Sequence, residues 1–93
     1  MDIGIDLGAS KALKVGNSLL PAGVIKTTGQ FERGDPIDIQ DLNGHHIAKG
    51  LIAYSNKEVE KIKGHQTKDI ELILGYLGRS VLIHRDDMAF SIS

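Results

Sequence analysis

PIDIQDLNGHHIAKGLIAY, residues 36–54, carries two strands and the turn between them. Ile37 and Ile39 alternate with Asp38 and Gln40, the pattern of a half-buried strand. Asn43-Gly44 follows, the dipeptide that most strongly marks a hairpin because both residues tolerate a positive φ. The return strand is predicted from about Ile47 to Tyr54, with the apolar run LIAY buried on both faces. Gly50 in its middle implies a bulge or the close approach of another backbone.

Working outward, Ile3, Ile5 and Leu7 alternate with Asp2, Gly4 and Asp6 as a second half-buried strand, broken by Gly8. Residues 9–15 read as a short helix with Ala12, Leu13 and Val15 inward, stopped by Gly16. The segment 19–28 begins as an irregular elbow and becomes a strand around Gly23-Val24-Ile25, with Pro21 at a strand start or edge. Residues 30–36 are turn-rich. Ser55 and Glu58 have the spacing of a capping box, with Val59 and Ile62 facing the core and Gly64 ending the helix. Thr67 is expected to cap a further helix with an Ile70, Ile73, Leu74, Leu77 stripe, weakened at its end by Gly75. Strands at Val81–His84 and Met88–Ile92 are expected to close the chain. Short strands, frequent turns and small helices predict a mainly β, barrel-like domain with short α-helices.

With 93 residues the chain reads as one domain. Its 11 Lys+Arg against 12 Asp+Glu leave a net charge of -1, which argues against strong non-specific nucleic-acid binding. The absence of cysteine excludes disulfides and zinc–sulfur sites. There is neither a signal-peptide pattern nor an apolar run of about 18 residues, so a soluble cytoplasmic domain is expected.

Catalytic motifs fail one by one. His84-Arg85-Asp86 resembles a kinase catalytic loop, but Ser91 stands where that loop needs Asn. Gly29 and Gly34 begin a phosphate-loop spacing that continues with Asp35 and Pro36 instead of Lys and Ser/Thr. Ser18 lacks the second glycine of a nucleophile elbow, since Leu20 stands there. His45 and His46, adjacent on a strand, point to opposite faces and chelate poorly. Lysines 57, 61, 63 and 68 alternate with acids as a solvated face. No enzyme is expected and no metal or cofactor is assigned to this chain.

The elbow GNSLLPAG, residues 16–23, is the remaining candidate. Its glycines would let a backbone approach a ligand, and Lys11 and Lys14 lie one helical turn apart just upstream. A groove here could grip a nucleic-acid backbone. The other reading is a core-packed bend filled by Leu19 and Leu20, the commoner fate of leucine.

The ordered series GASKAL, GNSLLPAGV, FERGD, IAKGLIAYS, IKG, ILGY and IHRDDM resembles the PUA family, named for pseudouridine synthases and archaeosine transglycosylases. Within it the series is most similar to the C-terminal domain of bacterial glutamate 5-kinases, across about residues 3–90. The resemblance implies a PUA-like β pseudo-barrel. It implies one PUA domain over 1–93, with the amino-acid-kinase domain of such enzymes absent. In RNA-modifying relatives the first helix, the elbow and nearby strand residues contact RNA. Carried over, that face comprises Lys11, Lys14, Gly16, Asn17, Ser18, Leu20, Pro21 and Gly23, joined by His84 and Arg85. The kinase domain of the resembled enzymes uses ATP and magnesium, makes γ-glutamyl phosphate and responds to proline. Implied partners are that kinase domain or its oligomer, or structured RNA, with no membrane. The chain is then either a fragment of such an enzyme or a stand-alone RNA-binding module. Asp87 stands where the resembled domains commonly have Asn, and this extra acid lowers the positive potential beside Arg85.

Overall fold

The computed structural model describes residues 1–76 and 78–90. Five strands form one mixed sheet in the order β2-β1-β3-β4-β5, with β1 Asp2–Ile5, β2 Val24–Thr28, β3 Pro36–Gln40, β4 His46–Leu51 and β5 Met88–Phe90. β1 runs parallel to β3 and every other pairing is antiparallel. Three short helices join it: α1 Leu7–Lys14, α2 Asn56–Ile62 and α3 Ile70–Leu74. This is the mainly β architecture with short α-helices that the sequence implies.

The hairpin at 36–51 forms as expected, its turn held by Asp41, whose carboxylate accepts the Asn43 and His45 N–H groups at 2.8 and 2.9 Å. The return strand is shorter than predicted. It ends at Leu51, which is half exposed, because the backbone then divides its hydrogen bonds between two partners. Ile52 exchanges bonds with the turn at Gly34 and Asp35, and the Ala53 N–H donates to the Leu82 carbonyl. Gly50 carries no bulge but does mark a close approach, by side chains more than by backbone: a Cβ there would lie 2.5 Å from Ile83 Cγ2, 2.9 Å from Met88 Cγ and 3.1 Å from the Asp87 carbonyl oxygen.

The first strand also ends early. Asp6 leaves the alternation to cap α1, its Oδ1 accepting the Ala9 N–H at 2.7 Å, so Leu7 and Gly8 begin the helix and Leu7 is exposed. Val15, predicted inward, is the helix C-cap and lies in solvent. Gly4 pairs with Lys26, whose aliphatic stem covers it. Residues Val81–His84 do not form a strand: Ile83 makes one isolated bridge to Leu19 before a 3-10 turn over Arg85–Asp87. Thr67 is not a helix cap but the first residue of a 3-10 turn, and its hydroxyl donates to the Ser80 carbonyl. Leu77 of the predicted stripe, and Ser91 and Ile92 of the predicted last strand, lie outside the described residues.

The core gathers Ile3, Ile5, Ile37, Ile39, Tyr54, Val59, Ile62 and Ile70 at 0% exposure. α2 is fastened to it by the predicted capping box, in which the Ser55 hydroxyl accepts the Glu58 N–H at 3.3 Å and Glu58 Oε1 accepts the Ser55 N–H at 2.8 Å. Ser55→Ala removes one side of that exchange and should lower unfolding stability by about 1 kcal/mol in urea titration. Among the described residues no helix is long and apolar enough to cross a membrane.

Candidate functional site

The elbow is built from the end of α1. Gly16, at φ 93°, reverses the chain; its N–H donates to the Leu13 carbonyl and that of Asn17 to the Ala12 carbonyl, both at 3.0 Å. This paired closure requires a left-handed residue, which glycine adopts without a Cβ penalty. Leu19 then plunges into the core, 1% exposed, and pairs with Ile83. Leu20 stays half exposed, whereas Pro21 is buried at the start of a 3-10 turn over Pro21–Gly23. The two readings of this segment therefore divide between adjacent leucines.

A groove of about 510 Å³ lies between α1 and the elbow. Gly8, Ala9 and Ala12 line its helical wall, and Asn17, Ser18 and Leu20 face them. Asp6 is the charged residue of the lining. Gly23 lets the walls meet: a Cβ on it would sit 2.4 Å from that of Ala9. Its carbonyl accepts the Asp6 N–H at 3.0 Å. The requirement for glycine here is spent on helix packing, not on a ligand.

The predicted face is assembled in part. Arg85 joins through its backbone, its N–H donating to Ser18 Oγ at 2.9 Å, and His84 precedes it with Nδ1 accepting the Asp86 N–H at 3.1 Å. Lys11 and Lys14 are exposed but line no part of the groove. At about 100° per residue they fall on the flank of α1 turned away from Ala9 and Ala12. Both occupy the last turn of the helix, where cations complement its dipole. Asp86 and Asp87 sit on the Arg85 side, Asp87 within 3.6 Å of Arg79.

Sequence reasoning missed the small-residue wall, although Gly8, Ala9 and Ala12 recur at one-helix-face spacing. It also missed a polar cluster whose members are far apart in the chain. Arg33 Nε donates to Glu58 Oε1 at 3.0 Å and its Nη2 to the other carboxylate oxygen, which also accepts the Tyr76 hydroxyl. The Arg33 guanidinium lies 5.8 Å from the Tyr54 ring centre and 5.4 Å from that of Tyr76. The Arg33 hydrogen bonds, aided by the Ser55 N–H, hold the Glu58 carboxyl below the usual carboxylate range against the opposing effect of burial. A folded-state value below the unfolded one gives stability that is present above the unfolded pKa and lost as pH falls through the folded one. Acid titration of the melting temperature should therefore decline in that window, and Glu58→Gln should flatten the decline. Among the described residues no group of three or more His, Cys, Asp or Glu could hold a metal ion.

The PUA domain family profile matches residues 1–74. The chain is 52% identical over 84 residues to glutamate 5-kinase of Rhodopseudomonas palustris, covering 90% of this chain and 22% of that protein. It is 53% identical over 87 residues to glutamate 5-kinase of Paracoccus denitrificans, covering 94% and 24%. It thus spans less than a quarter of the length of these curated relatives. In fold it is similar to a PUA domain from Aeropyrum pernix K1, at TM-score 0.66 and 20% identity over 89% of this chain and 40% of that one. It is also similar to a chain of the archaeal box H/ACA sRNP Nop10–Cbf5 complex, at TM-score 0.62 and 23% identity over 97% and 23%. The matched profile, the five-stranded sheet with its three helices and the shared fold together establish that the chain belongs to the PUA domain family.

Proposed function

We propose that this chain is a single, non-catalytic PUA module of a glutamate 5-kinase, acting in regulation or assembly. The parent activity would be ATP- and magnesium-dependent phosphorylation of L-glutamate to γ-glutamyl phosphate, in proline synthesis. The observation that carries the proposal is the 52% identity to such a kinase over 90% of the chain, against 20% and 23% for the two solved PUA structures. The groove supports it too. Its wall of small residues with one carboxylate, Asp6, suits a protein segment better than a phosphate backbone, which needs cations directed at it. The natural partner is then the kinase domain or its oligomer, in the cytoplasm. The test is removal of the matched 84 residues from the Rhodopseudomonas palustris enzyme. A changed oligomeric state or proline response is expected. Unchanged kinetics, metal dependence, proline response and assembly would defeat the proposal.

A second reading, a module binding structured RNA, has its own support in the exposed lysines of α1. Lys11 and Lys14 have no ion-pair partner among the described residues. Its contact face would be Lys11, Lys14, the elbow residues Gly16, Asn17, Ser18, Leu20, Pro21 and Gly23, and the neighbouring His84 and Arg85. Under this reading, exchanging Lys11 and Lys14 for Glu weakens RNA binding and reduces the salt slope by about one per lysine. Amide-resolved NMR titration with a structured-RNA pool at two salt concentrations checks it. Equal affinity of variant and parent would remove this reading.

A further inference from the structure

β2 is one edge of the sheet, and the register decides which of its backbone groups stay open. The Asp38 N–H donates to the Met1 carbonyl at 3.1 Å, so that carbonyl points to β3. Peptide groups alternate sides along a strand, so the N–H and carbonyl of Asp2 and of Gly4 point to β2. Their partners there are Thr28 and Lys26. The peptide groups between and beside these partners point outward: the Ile25 carbonyl, the Thr27 N–H and carbonyl, and the Gly29 N–H. No turn, loop or side-chain bond among the described residues uses them. Beyond Gly29, at φ 84°, the chain turns away. Lysine often guards such an edge, but the Lys26 stem folds back over Gly4 of β1, where a Cβ would lie 3.0 Å from its Cγ. The irregularity in the β1–β2 register falls before Lys26, and Ile25 beside the open groups is 49% exposed.

This set of groups complements itself. With a twofold axis at Thr27, a second copy lies antiparallel to the first. The Thr27 N–H then meets the Thr27 carbonyl of the second copy, and the Gly29 N–H meets its Ile25 carbonyl, so every open donor finds an open acceptor. Ile25 stands opposite Gly29, whose missing side chain leaves it room. Lys26 stands opposite Thr28 and not opposite the second Lys26, so no like charges face each other. We propose that two copies of this chain pair through β2 in this register, joining their sheets edge to edge. The contact uses neither the elbow groove nor the lysines of α1. It needs only this chain, so it stands or falls apart from the kinase reading.

Sedimentation velocity and amide-resolved NMR of the 93-residue chain, from micromolar to millimolar concentration, test the proposal. A reversible dimer is expected, with the concentration-dependent amide shifts centred on Thr27 and Gly29. Thr27→Pro removes the outward donor from both copies and no bond of the β1–β2 ladder. It should fold and dimerise at least about tenfold more weakly. Thr27→Val keeps that donor and loses only the hydroxyl bond to Glu60, so it should dimerise like the parent. Ile25→Lys leaves the backbone unchanged and sets a charge at the edge, so it should weaken the dimer too. This second variant reports on pairing even where the proline variant does not fold. A monomer at millimolar concentration, or shifts centred on the elbow or on α3, would overturn the proposal. So would unchanged affinity in Ile25→Lys or in a folded Thr27→Pro.

Discussion

Tyr54→Ala should leave the chain largely unfolded at room temperature. Tyr54 is 0% exposed and is the bulkiest wholly buried side chain. Its ring lies against the Gly78 backbone, where an added Cβ would come 2.8 Å from the hydroxyl. That hydroxyl donates to the Arg79 carbonyl, tying the end of β4 to the segment after α3. Truncating a buried aromatic costs about 3–5 kcal/mol, a large share of the roughly 5–15 kcal/mol by which small domains are stable. Tyr54→Phe keeps the ring and loses the one hydrogen bond, so about 1 kcal/mol should go. Urea titrations of the two variants separate packing from hydrogen bonding. Equal losses would mean that the ring itself contributes little.

Gly23→Ala should prise α1 from the elbow. The new Cβ would sit 2.4 Å from Ala9 Cβ, an atom fixed to a helix that cannot rotate aside. The expected cost is about 1–3 kcal/mol of overpacking, with amide shifts at Asp6, Ala9 and Ala12 as the groove widens. Adding Ala9→Gly returns the space at a helix cost of about 1 kcal/mol. The double variant should therefore lose less stability than the two single changes summed. Strict additivity, measured by thermal melts, would show that the Ala9–Gly23 contact does not set the groove.

These effects trace what could be read from residue order. The hairpin was legible because Ile37 and Ile39 alternate and Gly44, at φ 81°, marks the turn, although the Asp41 carboxylate is what holds that turn. The capping box was legible for the same reason: its partners are three residues apart. Gly50 announced a close approach, but not that Ile83 and Met88 make it, since those contacts are long-range. The overlong strands failed where a residue served a second purpose. Asp6 fits an alternating strand and a helix cap equally well, and the cap wins. Residues 52–54 are apolar enough for a strand, yet the hydrogen bonds of Ile52 go to the Gly34–Asp35 turn and that of the Ala53 N–H to Leu82. At the elbow, spacing assembled the groove rim but left the direction of Lys11 and Lys14 open. Their flank depends on the face α1 turns to the core through Ser10 and Leu13. The Arg33–Glu58–Tyr76 cluster joins residues up to 43 positions apart, beyond the reach of local pattern.

The most direct test of the central claim is a domain exchange in the Rhodopseudomonas palustris glutamate 5-kinase. The 84 matched residues are replaced by the corresponding part of this chain, and sedimentation and proline response are compared with those of the intact and truncated enzymes. The account predicts that truncation alters at least one of these properties and that the exchanged chain restores it. An exchanged enzyme that behaves like the truncated one, or a truncation that changes nothing, would contradict it.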